Sequence, residues 1–165
     1  MAEVVVADAS PLIVLGRTEQ LELLTLVCGR VVVPHPVRYE CLADMRKSGA
    51  RAIERGFAMG WLTEQPDHPR YEPVEIKGLN AGEAAAIGLA EVMNCPLLVD
   101  ERLGRAVARQ RGIAAIGTLG VLLRAKRQGI APAVGPLIQA IKEQGYFLSG
   151  TVEREILRSA GEASE

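Results

Sequence analysis

The chain has 165 residues, 48% of them hydrophobic and 24% charged, and its 19 basic and 20 acidic residues leave a formal net charge of −1. That composition fits one ordinary globular domain with a real core and excludes a disordered chain or a globally basic nucleic-acid binder, though not a local basic patch. Six aromatic residues, Tyr39, Phe57, Trp61, Tyr71, Tyr146 and Phe147, are too few for a broad base-stacking platform.

Apolar runs of four or five residues alternate with helix-period segments, the pattern of a parallel α/β sheet. Val4 to Ala7 reads as a strand buried on both faces. Ser10 and Pro11 follow as a helix cap and a first helical position, and the leucines between Leu12 and Val27 predict one buried helix ending at Cys28-Gly29. Val31 to Val33 is a second strand. Pro34 and Pro36 begin a helix carrying Val37, Tyr39, Glu40, Cys41 and Leu42. A further helix covers Ala50 to Met59, and Trp61 to Glu64 is a weaker strand.

Gln65 to Gly78, with Pro66, Pro69 and Pro73, is the longest non-helical connection. Beyond it come a helix at Asn80 to Met93, a strand at Pro96 to Val99, a helix at Glu101 to Arg111 and a strand at Ile113 to Ile116. Helices at Leu119 to Gln128, Val134 to Gln144 and Thr151 to Ser159 complete the chain. The expectation is a single domain over residues 1–165, with a helical C-terminal extension from about residue 130.

No apolar run reaches the ~18 residues that a membrane helix requires, so no membrane association is expected. The opening MAEVVVADAS carries Glu3 and no basic stretch, unlike a secretory signal. Cys28, Cys41 and Cys95 show no CxxC spacing and read as small buried hydrophobes in a reducing compartment. The expected location is cytoplasmic.

In an open parallel sheet, sites form beyond the carboxyl ends of the strands. Asp8 follows VVVA and Asp100 follows PLLV. Each either caps the next helix or belongs to a shared acidic site. Glu40, one turn into its helix, and Glu83, three residues after Asn80, fall near the same strand–helix junctions. Asn80 and Glu83 also have the spacing of a capping box. A cluster of these four acids would suit Mg²⁺ or Mn²⁺ through hard oxygen ligands, and no His/Cys set for zinc is present. Such a centre supports metal-assisted phosphoryl transfer. Ser10 either caps a helix or orients a metal-bound water or a phosphate.

Arg102, Arg105 and Arg109 form one helical stripe beginning beside Asp100, and Arg38 precedes Glu40 by two residues. The stripe either contacts phosphates or is a solvated face. Lys126 and Arg127 fit helix-end electrostatics, Thr118 reads as a cap, and His35 and His68 carry no assigned role. The nucleotide-binding fingerprints GxGxxG and GxxxxGK[ST] are absent.

The order of VVVADAS, VVVPHPVRYE, LNAGEAAAIGLA and CPLLVDERLGRAVA, from about Glu3 to Leu123, resembles the PIN domain family of nucleases. The resemblance implies a three-layer α/β/α sandwich around a central, mainly parallel sheet and a divalent-metal endoribonuclease acting on RNA. It matches Asp8, Glu40, Glu83 and Asp100 to the family's acidic quartet and Ser10 to its hydroxyl residue, with Arg102 and Arg105 as candidate substrate contacts. Many relatives are toxins of toxin–antitoxin pairs, and relatives often dimerise, so a small antitoxin and a homodimer are implied. Two features depart from the pattern. Glu83 stands where many relatives carry Asp, and Glu101-Arg102-Leu103 follows Asp100 in place of an acid plus aromatic. Glu101 reads either as a substitute ligand or as a helix N-terminal acid. These departures leave a second reading, a catalytically degenerate module that binds RNA or a protein.

Overall fold

The computed structural model describes residues 3–65 and 72–162. Strand β1 (Val4–Ala7) leads through α1 (Ala9–Arg17) and α2 (Leu21–Cys28) to β2 (Arg30–Pro34), and α3 (His35–Leu42) and α4 (Ser48–Ala58) lead to β3 (Leu62–Gln65). Next come α5 (Ala81–Met93), β4 (Leu97–Leu98), α6 (Arg102–Gln110), β5 (Ala115–Ile116), α7 (Thr118–Arg127), α8 (Gly135–Glu143) and α9 (Gly150–Ser159). His68 lies outside the described residues, as does part of the long connection after Gln65.

The strands pair in the order β3-β2-β1-β4-β5, every pair parallel, with Val5 opposite Val31 and Val6 opposite Leu97. The first two crossovers step toward one edge and the last two toward the other. Right-handed crossovers therefore put α1–α4 on one face and α5 and α6 on the opposite face. Helix α7 returns to pack on α2, and α8 and α9 pack on α7. The result is a three-layer α/β/α sandwich. Its middle strands are apolar along their length because both faces are covered; Val6, Ala7 and Val32 are fully buried.

Three expectations change at element ends. The long helix expected over Leu12 to Val27 is two helices, α1 and α2. The Thr18 hydroxyl donates back to the Val14 carbonyl at 3.0 Å, and Glu19 adopts φ 56°, so the chain turns between them. Helix α1 also starts earlier than Ser10, with Asp8 in the cap position. Pro11 is tolerated at the third helical position because the first four amides lack intrahelical partners in any case. Strands β4 and β5 are only two residues each; ahead of β5, the Ile113 amide donates to the Ala108 carbonyl and closes α6, which takes Ile113 out of the expected strand.

Gly29 makes the turn from α2 into β2 at φ 80°, where a Cβ would lie 2.6 Å from the Glu3 carbonyl oxygen. Only glycine allows the Arg30 amide to reach that carbonyl and align β2 with β1. No helix among the described residues is long and apolar enough to cross a membrane.

A candidate acidic site at the switch point of the sheet

The chain reverses direction across the sheet between β1 and β4, and a crevice opens at the carboxyl ends of such neighbours. Asp8 leaves β1 at this point, and its amide donates to the Leu98 carbonyl of β4 at 2.9 Å. The residue is 2% exposed, and its side chain makes no capping hydrogen bond although it holds the cap position of α1. Its Oδ1 is buried without a hydrogen-bond partner among the described residues. Burial pushes the carboxyl up to about 7; the nearby Ala9 amide offsets part of this, and the charges of Glu83, Glu40 and Glu101 add to it.

Glu83 sits in the first turn of α5. Asn80 caps that helix, accepting from the Glu83 amide at 2.8 Å and donating from its side-chain amide to Glu83 Oε1 at 2.9 Å. The capping reading therefore holds, yet it satisfies one carboxylate oxygen only. Glu83 is buried, and burial followed by the charges of Glu101 and Glu40 holds its carboxyl above the usual range. Glu40 projects from α3 toward the start of α5. A Cβ on Gly82 would come within 2.8 Å of Glu40 Oε2, so the missing side chain leaves room for the carboxylate. Glu83, Glu40 and Glu101 thus lie near enough to Asp8 for their charges to act on it.

Asp100 is directed differently. It leaves β4 as expected, but its Oδ1 accepts from the Thr118 amide at 2.7 Å and its Oδ2 from the Thr118 hydroxyl at 2.6 Å. Tyr146, in the connection between α8 and α9, donates a longer bond of 3.4 Å to Oδ1. Asp100 therefore caps α7, not the helix that follows it in sequence. Thr118 is the first helical residue, with Gly117 in the cap position. The hydroxyl of Tyr146, half-buried beside the Asp100 charge, is held well above the ordinary phenol range. Nothing local in the sequence pairs Asp100 with Tyr146, because the two are joined only by the return of the C-terminal helices.

Ser10 is half-buried in the first turn of α1, and its hydroxyl has no hydrogen-bond partner among the described residues. Arg102 is exposed and Arg105 half-buried on α6, Arg105 lying beside Asp100 and Tyr146, while Arg109 is exposed one turn on. Arg38 has another partner: it donates to Glu64 Oε2 at 2.6 Å and stacks on the Phe57 ring at 4.3 Å. His35 binds the other oxygen of Glu64 at 2.7 Å. Beside Glu40 runs a groove of about 510 Å³, lined by His35, Pro36, Tyr39, Asn80 and Gly82. All three cysteines are free, and burial with the Glu40 and Asp8 charges pushes the Cys41 thiol up to about 12, so it stays protonated.

As the side chains stand, no three His, Cys, Asp or Glu among the described residues converge closely enough to hold an ion. The donor set nonetheless fits a divalent cation. Asp8 keeps an orphaned, buried carboxylate oxygen, and burial followed by nearby like charges raises the pKa values of Asp8 and Glu83, a cost that a cation on hard carboxylate oxygens would relieve.

A doubly wound parallel sheet with buried carboxylates over its switch point defines an α/β protein with a candidate acidic site at that point. A family model described as a PIN domain matches residues 4–162, and the chain belongs to that family. Proteins of the family are generally nucleases that use divalent metals and often bind nucleic acids. Among solved structures the chain is similar to a PilT N-terminus domain protein from the hyperthermophilic archaeon Sulfolobus solfataricus P2. The two share 16% identity over 72% of this chain and 89% of the other, with a TM-score of 0.47. No curated protein matches the chain.

Proposed function

We propose that this protein is a divalent-metal-dependent endoribonuclease whose cation is held by Asp8, Glu40 and Glu83. The observation that carries this reading is the unpartnered Oδ1 of Asp8, 2% exposed at the switch point and facing other acids. A buried carboxylate oxygen without a donor is costly, and a Mg²⁺ or Mn²⁺ ion turns that cost into binding energy. When bound, the ion supplies an activated water and charge stabilisation at a phosphodiester.

The chain's own side chains do the rest. Asn80 fixes Glu83 through two hydrogen bonds. Ser10 Oγ, free in the first turn of α1, donates to a phosphate oxygen, and Arg102 and Arg105 hold the flanking phosphates as charges without sequence preference. The groove beside Glu40 accepts the strand, with Tyr39 on its wall. A toxin role follows if a small antitoxin covers this acidic edge. A homodimer would use a surface other than the facing apolar sides of α7 and α8, because Val121, Leu122, Ile138 and Ile141 are buried in the protomer core.

Purified protein with Mn²⁺ or Mg²⁺ is expected to cleave RNA, chelator to stop it and Asp8→Asn to abolish it. Identical residual cleavage by wild type and Asp8→Asn would end the proposal. The engagement of Asp100 with Thr118 favours the second reading, a degenerate RNA- or protein-binding module. RNA binding unchanged by chelator, with no cleavage of any substrate, would select it.

A further inference from the structure

Residues three and four apart share a face of a helix, so α3 presents adjacent stripes to its surroundings. Pro36 and Glu40 lie toward the start of α5, where the groove of about 510 Å³ runs past Asn80 and Gly82. Arg38 and Leu42 lie on the other side, where a second groove of about 620 Å³ reaches Ala43 and Glu64. His35 and Tyr39, four residues apart, line both grooves and form the ridge between them. Tyr39 is 73% exposed on that ridge. The His35 ring is fixed beside it, because Nδ1 donates to Glu64 Oε1 at 2.7 Å. Arg38 donates one N–H to Glu64 Oε2 at 2.6 Å and lies over the Phe57 ring at 4.3 Å; its other N–H groups have no partner among the described residues.

We infer that the His35–Tyr39 ridge is a wedge that parts two successive bases of a single RNA strand, one seated in the groove beside Glu40 and the next in the groove walled by Arg38 and Glu64. This rests on the ribonuclease reading above and extends it to the bases that flank the acidic edge. Glu40 follows Tyr39 directly and faces the first groove, so a nucleotide seated there brings its phosphate to the carboxylates. Each groove has the volume of an ordinary small-ligand pocket. The second offers what a base edge needs: N–H donors from Arg38, and His35 Nε2 as an acceptor in the neutral ring whose Nδ1–H is committed to Glu64. Glu64 holds both groups in place before any ligand arrives. Successive bases in a helical stack lie about 3.4 Å apart, and a ring inserted between them roughly doubles that spacing. A single strand opens in this way at little cost, whereas a duplex must first give up its pairing.

The test is binding by the full chain in chelator, where no cleavage intervenes, read by fluorescence anisotropy. Three labelled probes of about eight nucleotides are compared: a single-stranded RNA, the same strand annealed to its complement, and the same backbone with stable abasic sites in place of nucleotides. The single strand is expected to bind at least about tenfold more tightly than either of the others. Tyr39→Ala is expected to remove that advantage, Tyr39→Phe to keep affinity within about twofold of wild type, and both to melt within about 2 °C of it, since the side chain is exposed. Equal affinity for the abasic probe, or a Tyr39→Ala chain that binds the single strand like wild type, overturns the inference. Metal-dependent cleavage that Asp8→Asn abolishes, with binding indifferent to Tyr39, removes the wedge and leaves the ribonuclease reading standing. Binding that depends on Tyr39 and on bases, with no cleavage in Mn²⁺, keeps the wedge and removes the catalytic reading.

Discussion

At Asp8 a single carboxyl connects folding to chemistry. In the unfolded chain it titrates near 3.8 and in the fold near 7, so between these values the native state holds a proton that the unfolded state has lost. Stability of the ion-free protein is therefore greatest at the acidic end of this window and falls as pH rises from about 4 to 7. The loss attributable to this group is roughly 4 kcal/mol. Melting curves in chelator across that range are expected to show the decline, and Asp8→Asn to flatten it and to raise stability at neutral pH. A flat wild-type profile would mean that Asp8 is not strained. Gly82 gives a second residue-level test. Alanine there is expected to stabilise α5 by about 0.5–1 kcal/mol, as replacement of a helical glycine does. The same Cβ would displace the flexible Glu40 carboxylate from 2.8 Å, so Mn²⁺ affinity should fall while the melting temperature rises. An unchanged affinity would remove Glu40 from the ligand set.

At the scale of elements, the C-terminal helices are built into the domain. Helix α8 places Ile138 and Ile141 in the same core cluster as β1 and α7. Glu162, just beyond α9, accepts from the Val134 and Gly135 amides at 2.8 and 3.0 Å and pairs with Lys126 at 2.9 Å, a set of donors that pulls its carboxyl down to about 2. This capping from a distance ties the end of the chain to the start of α8, and Tyr146 ties the same region to Asp100. Truncation after Gly129 would expose α7 and remove Val134, Ile138 and Ile141, each worth about 1.5–3 kcal/mol of burial. Against a total stability of about 5–15 kcal/mol, the truncated chain is expected to lack a cooperative melting transition. A sharp transition would instead make the last helices an appendage. Periodicity located α5 and the C-terminal helices to within a residue or two of their ends. It failed at the α1–α2 turn, because a left-handed Glu19 and a back-bonded Thr18 leave no interruption in the pattern of leucines.

Across the whole molecule, an order of β3-β2-β1-β4-β5 brings the ends of two strands separated by about 90 residues to adjoining positions. Helix α3 then swings Glu40 toward them, and α5 starts above them with Glu83. The sequence by itself determined the class of fold, because runs such as VVVA and PLLV can be buried on both faces only in a covered parallel sheet. It also placed Asp8, Glu40 and Glu83 at strand–helix junctions, since those positions follow from chain order. Only the tertiary structure decided which carboxylates turn inward. Asp100 and Glu101 are neighbours with equal charge, and a linear pattern cannot say which finds a donor. The donors for Asp100 come from Thr118 and from Tyr146, 46 residues away, and they reach it only after α7, α8 and the connection to α9 have packed.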